Sequence, residues 1–140
     1  MMRAAAKRII NPPGLAPPRG FSHGIATRGG TLLFLAGQDG SDAQGRIVAP
    51  SDLVGQMRQV LENLRAVTVA AGGTLQDVVQ LTIFVRDRAD YLAKRAPLGT
   101  VFREHFAGYY PTMALFEVSG FYRADTLIEI QGIAVIPDAE

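Results

Sequence analysis

At 140 residues the chain has room for one hydrophobic core, and we read residues 1–140 as a single domain. A formal net charge of +1 with 19% charged residues gives no field strong enough to grip a phosphate backbone, which argues against nucleic acid as a partner. The absence of cysteine excludes thiol catalysis and cysteine-ligated metals, and the only two histidines, His23 and His105, are too far apart in sequence to suggest a metal cluster, so no metal and no cofactor are expected.

Residues 1–20 read as an extended leading segment, broken by Pro12, Pro13, Pro17 and Pro18. No apolar stretch follows Arg3, Lys7 and Arg8, so a cytoplasmic protein without a membrane partner is expected. Residues 21–27 and 31–36 suggest a strand hairpin around Arg28, Gly29 and Gly30. Gly37, Gly40 and Gly45 with Asp39, Ser41 and Asp42 mark a loop, and residues 46–48 a short further strand.

Ser51 reads as the N-cap of a helix with Asp52 in its first turn. Its apolar stripe is Leu53, Met57, Val60, Leu61, Leu64 and Val67, and Gly72 and Gly73 end it. Val79, Leu81, Ile83 and Val85 alternate as a half-buried strand. A second helix carries Leu98, Val101, Phe102 and His105, with Pro97 at its first position and Arg95 at a bend just before it. Strands over 112–118 and 127–136 close the chain, joined through Ser119 and Gly120. The order implies an α+β fold with two helices on one face of a mixed sheet, whose bare second face predicts self-association.

Four segments carry a resemblance over nearly the whole chain: Phe-Leu-Ala-Gly-Gln at 34–38, Gln-Val-Leu-Glu-Asn-Leu at 59–64, Asp-Val-Val-Gln-Leu-Thr-Ile-Phe-Val-Arg-Asp at 77–87, and Ile-Glu-Ile-Gln-Gly-Ile-Ala-Val-Ile-Pro at 128–137. Their order and spacing resemble the Rid family of reactive-intermediate deaminases, also called YjgF-like or L-PSP endoribonuclease-like. The resemblance implies a chorismate-mutase-like fold, a homotrimer, and a small-molecule cleft at each subunit interface. It also implies cofactor-free hydrolysis of imines and enamines to a keto acid and ammonia, with an arginine holding a substrate carboxylate and a glutamate positioning water. Glu129 falls on that glutamate and Gly37 on a cleft-lining glycine. Met113 falls on the arginine, Phe21 on a tyrosine, Ala36 on a serine and Arg95 on an asparagine.

Glu129 shares a strand face with Leu127 and Gln131, opposite Ile128, Ile130, Gly132 and Ala134. Such an acid either works on water in a cleft or lies exposed at a subunit seam. Glu117 shares a face with Met113 and Leu115, either near the same pocket or on the sheet rim. Met113 is a packing residue or the apolar floor of a cleft, and Arg95 is a surface residue or the replacement grip for an anion. His23 reads as a capping residue or as part of the cleft mouth. Residues 37–40 lack the lysine of a phosphate loop, so no nucleotide is assigned. Two functions follow as expectations: a Rid-type hydrolase of a small C=N metabolite, or a non-catalytic trimeric module that binds one. RNA cleavage is a third reading, and neither a basic stripe nor a histidine pair supports it.

Overall fold

The computed structural model describes residues 6–139, so Arg3 lies outside the described residues. The strands are β1 (Ala6–Ile10), β2 (Gly24–Arg28), β3 (Thr31–Gln38), β4 (Val78–Val85), β5 (Thr112–Glu117) and β6 (Ile128–Ile136). The helices are α1 (Leu53–Ala70), α2 (Arg88–Ala93) and α3 (Arg95–Phe106). A mixed sheet in the order β3-β6-β4-β5 has only the β4–β5 pair parallel. The α+β class and the mixed sheet are therefore as expected.

Several local expectations are corrected. The leading segment contains β1, which pairs antiparallel with β2 in a two-stranded sheet of its own, setting Ile9 opposite Ile25. Its partner is remote and its sequence does not alternate, so no local signal marks it. Gly29 and Gly30, both at φ 77°, do turn the chain, but no hairpin forms because β3 pairs with β6 instead of β2. Residues 46–48 provide only an isolated bridge between Ser41 and Ile47.

Helix α1 is capped by Asp52, whose Oδ1 accepts from the Gly55 N–H at 3.0 Å, and not by Ser51, which sits at φ 65°. A bulge in β4 between Val78 and Gln80 places Val78, in place of Val79, in the core with Leu81, Ile83 and Val85. The short helix α2 is an addition to the two expected helices. Its six residues are too few to show a hydrophobic period, although Asp87 caps it by accepting from the Asp90 N–H. Arg95 is the first residue of α3 and Pro97 the third, still within the turn whose N–H groups have no helical partner.

Helices α1 and α3 pack on one side of the sheet. Met57, Leu61 and Leu64 of α1, Leu98, Phe102 and Phe106 of α3, and Ile128 and Ile130 of β6 join one buried cluster. The opposite face stays open: Leu32, Phe34 and Phe116 are 61%, 71% and 52% exposed, far more than apolar side chains of a closed core. Among the described residues no helix is long and apolar enough to cross a membrane.

Candidate functional site

The strand period decides where Glu129 points. Its neighbours Ile128 and Ile130 are fully buried under the helices, so Glu129 faces the open side, where Phe84 is its cross-strand partner. On the other flank, the β3 register jumps between Leu35 and Gln38, which takes Ala36 and Gly37 out of the ladder. A side chain at Gly37 would overlap the Glu129 Oε2, so the glycine is what lets the carboxylate lie against β3. Ala36 lies exposed beside it. A cavity of about 370 Å³ has Phe84, Glu129 and Gln131 on its sheet side and Val118, Phe121 and Tyr122 on its loop side.

Burial, and then the negative charge of Asp39, hold the Glu129 carboxyl above its ordinary range. Asp39 is itself fixed: its Oδ1 accepts from the Ser41 N–H at 3.2 Å. Its Oδ2 lies 3.3 Å from Arg123 Nε but out of hydrogen-bond alignment, so that buried nitrogen has no partner among the described residues.

Three side chains hold the walls of this site, and sequence reading passed over all of them. Gln56 of α1 is fully buried: its Nε2 donates to the Ala49 and Asp125 carbonyls at 3.3 and 3.0 Å, and its Oε1 accepts from the Leu127 N–H at 2.8 Å, two residues before Glu129. Asn63 donates to the Asp39 and Ser41 carbonyls at 3.1 and 3.0 Å. Arg86 donates to the Thr126 and Ala124 carbonyls, each at 2.9 Å. An amide beside Met57, inside the apolar stripe of α1, was the available signal for Gln56.

The remaining predicted residues gather elsewhere. Met113 lies opposite the buried Leu81, and with Leu115 it packs toward the helix-side core. Met113 and Arg95 line a cavity of about 250 Å³ between the sheet, α2 and α3. An adjoining cavity of about 240 Å³ at the β5 edge takes in Phe21 and Leu115. Glu117 belongs to neither group, because its Oε2 accepts from the Arg88 N–H at 2.8 Å, at the start of α2. Glu117 does not share a pocket with Glu129, since β4 separates β5 from β6 and the two acids face opposite sides.

The histidines are engaged separately. His23 Nε2 lies 2.7 Å from the Ala16 carbonyl, tying down the proline-rich segment. His105 is buried, with Nδ1 2.8 Å from the Val101 carbonyl and Nε2 2.6 Å from Glu62.

The sequence matches the family model described as Endoribonuclease L-PSP over residues 13–136. The chain belongs to this family. A RutC family protein of Pyrococcus horikoshii is 38% identical over 109 residues, which are 78% of this chain and 82% of that protein. The 3-aminoacrylate deaminase RutC of Acinetobacter baylyi is 34% identical over 128 residues, 91% of this chain and 97% of its own. Among solved structures, a Rid-family protein of unknown function from Yersinia pestis aligns with a TM-score of 0.83 at 34% identity, covering 93% of this chain and 98% of that one.

Proposed function

We propose that the chain is a cofactor-free hydrolytic deaminase of small reactive imines, enamines or related C=N compounds, working at the open face around Glu129. One observation carries the reading: a carboxylate held above its ordinary range stands against Gly37 in an open cavity, with no ion-pair partner among the described residues. A general base works best when its pKa approaches the working pH, and burial moves Glu129 in that direction. The 34% identity to a protein named 3-aminoacrylate deaminase supports the same reaction class.

In this reading Glu129 takes a proton from water as the water oxygen bonds to the C=N carbon, and the nitrogen gains a proton. The resulting carbinolamine then expels ammonia, and its hydroxyl becomes the carbonyl of the product. Ala36 and Gly37, outside the β3–β6 ladder, offer backbone N–H groups to the polar end of the substrate. Ammonia release from enzyme-generated imines, with and without a carboxylate, tests the reaction: Glu129→Gln is expected to lose turnover while keeping its assembly. Turnover retained in that variant would overturn the role of Glu129.

The cleft is completed, in the same reading, by further copies in a homotrimer. The exposed Leu32, Phe34 and Phe116 on the Glu129 face support this. Sedimentation equilibrium is expected to give a trimer for the native chain and a smaller species for Phe34→Glu. A monomeric native chain at micromolar concentration would remove this part of the proposal.

A second reading, a non-catalytic module that binds a small metabolite, draws on Met113, Phe21 and Ala36, which replace the charged and hydroxyl groups implied by the resemblance. Its signature is saturable binding with no product. RNA incubated with the protein at physiological salt is expected to stay intact, since His23 and His105 are each committed to other contacts.

A further inference from the structure

Phe84 and Glu129 are cross-strand partners on the open face of β4 and β6, which sets an aromatic ring and a carboxylate side by side. The ring is steadied from β5, because Phe84 and Phe116 stack with centroids 6.2 Å apart and planes 27° apart. Across the cavity of about 370 Å³ the loop supplies two more rings, Phe121 and Tyr122, with Val118 beside them. Tyr122 is 97% exposed, so almost nothing in the described chain covers its ring, which is free to lie against a ligand. The cavity is therefore aromatic on two sides, and its volume lies at the small end of the range for ligand sites.

Glu129 is the one charged side chain in that lining. Two guanidinium groups stand near the loop rings, Arg86 at 5.7 Å from the Phe121 centroid and Arg123 at 5.8 Å from that of Tyr122, but neither borders the cavity. Arg86 is engaged on the Thr126 and Ala124 carbonyls, and Arg123 faces Asp39. An anionic ligand here meets the Glu129 carboxylate, and behind it the charge of Asp39, with no cation in the lining to offset them. A cationic ligand meets the reverse. It relieves the repulsion between the two acids, and the ring faces attract it.

We propose that the open-face cavity selects an aryl iminium ion, a C=N group that carries its own proton and no carboxylate, with the nitrogen at Glu129 and the aromatic body between Phe84 and Tyr122. The inference rests on the deaminase reading and names its substrate class, making Phe84, Phe121 and Tyr122 the residues that set specificity. A protonated C=N carbon is already activated toward water, so the site needs a base and no separate acid, which fits the single carboxyl group in the lining. The water oxygen bonds to the iminium carbon and passes a proton to Glu129, which returns it to the nitrogen. The C–N bond then breaks with its electron pair leaving on ammonia, and the hydroxyl proton goes to that ammonia, so iminium and water become a carbonyl compound and ammonium.

Titration calorimetry on the full chain compares benzamidinium, a stable planar mimic of an aryl iminium, with benzamide, benzoate and acetamidinium. Benzamidinium is expected to bind saturably and about tenfold more tightly than the neutral benzamide, with benzoate weaker than both. Glu129→Gln is expected to bring benzamidinium down to the level of benzamide. Tyr122→Ala, at an exposed position, is expected to weaken benzamidinium several-fold without moving the unfolding midpoint. Equal affinity for benzamidinium and benzamide, benzoate binding as tightly as benzamidinium, or acetamidinium matching it without a ring would each overturn the proposal. Turnover separates the two readings, using the imines that flavin-dependent oxidases release from benzylamine and from phenylalanine. The imine of benzylamine is expected to gain more over its spontaneous hydrolysis than the carboxylate-bearing one. Benzamidinium binding at Glu129 with neither imine accelerated would sink the deaminase reading and leave the cation site; Glu129-dependent turnover of the carboxylate-bearing imine alone would do the reverse.

Discussion

The two faces of the sheet solve different problems. On the open face, position comes from the backbone: a bulge in β3, a glycine that admits a carboxylate, and loops pinned through Gln56, Asn63 and Arg86. On the helix face, it comes from long side chains: Arg95, Arg103 and Met113 surround a cavity that the fold merely leaves open. The first arrangement is rigid and suits a group that must meet water at one point. The second is adjustable and suits a ligand recognised by charge and shape. Strand parity keeps them apart within one chain, because Phe84 pairs with both Phe116 and Glu129, setting that pair on the face opposite Met113. A reaction that uses both faces therefore needs another copy.

The sharpest way to break this contrast is Glu129→Gln, expected to lower turnover by roughly a hundred- to ten-thousand-fold, the range for a removed general acid or base. The same variant is expected to leave the arginine-lined cavity untouched.

The rigidity of the open face is tested by Gln56→Leu. The change leaves the Leu127 N–H and the Ala49 and Asp125 carbonyls without their side-chain partner in a fully buried setting. A cost of about 2–4 kcal/mol in denaturant unfolding is expected, since each orphaned buried group carries its own desolvation penalty. A cost below about 0.5 kcal/mol, within the usual surface range, would show that the loop before Glu129 holds itself.

What could be read from the sequence follows from how local each signal is. The core of α1, the stripe of α3 and the face of Glu129 depend on periods of 3.6 and 2 within single elements, and all three hold in the structure except that Val67 of the α1 stripe is exposed and Thr68 is buried beside it. The pairing of β1 with β2, the β4 bulge and the position of β4 between β5 and β6 depend on remote partners, so strand period alone does not tell that Glu117 accepts from the Arg88 N–H and stands away from Glu129. Arg103 was missed for a related reason. A polar position on an amphipathic helix carries no signal of its own, and only the fold puts Arg103 on the same cavity as Arg19 and Arg95.

The smallest expected effect concerns stability. The folded chain holds the Glu129 proton more tightly than the unfolded chain does, through burial first and Asp39 second. The stability contributed by the protonated acid is complete below the unfolded carboxyl pKa, roughly 4.3, and is lost as the pH rises through the higher folded value. Glu129→Gln keeps the neutral shape at every pH, so it is expected to unfold at a higher midpoint than the native chain near neutrality. The gain is expected to stay under about 1 kcal/mol because the carboxylate remains partly in water, and to vanish as the pH falls below the carboxylate range. Paired thermal melts from acid to neutral pH give the difference directly. A difference that stays constant across that range would mean that the carboxylate titrates as an ordinary surface acid, and the open face would then lose the property that marks it as a place for chemistry.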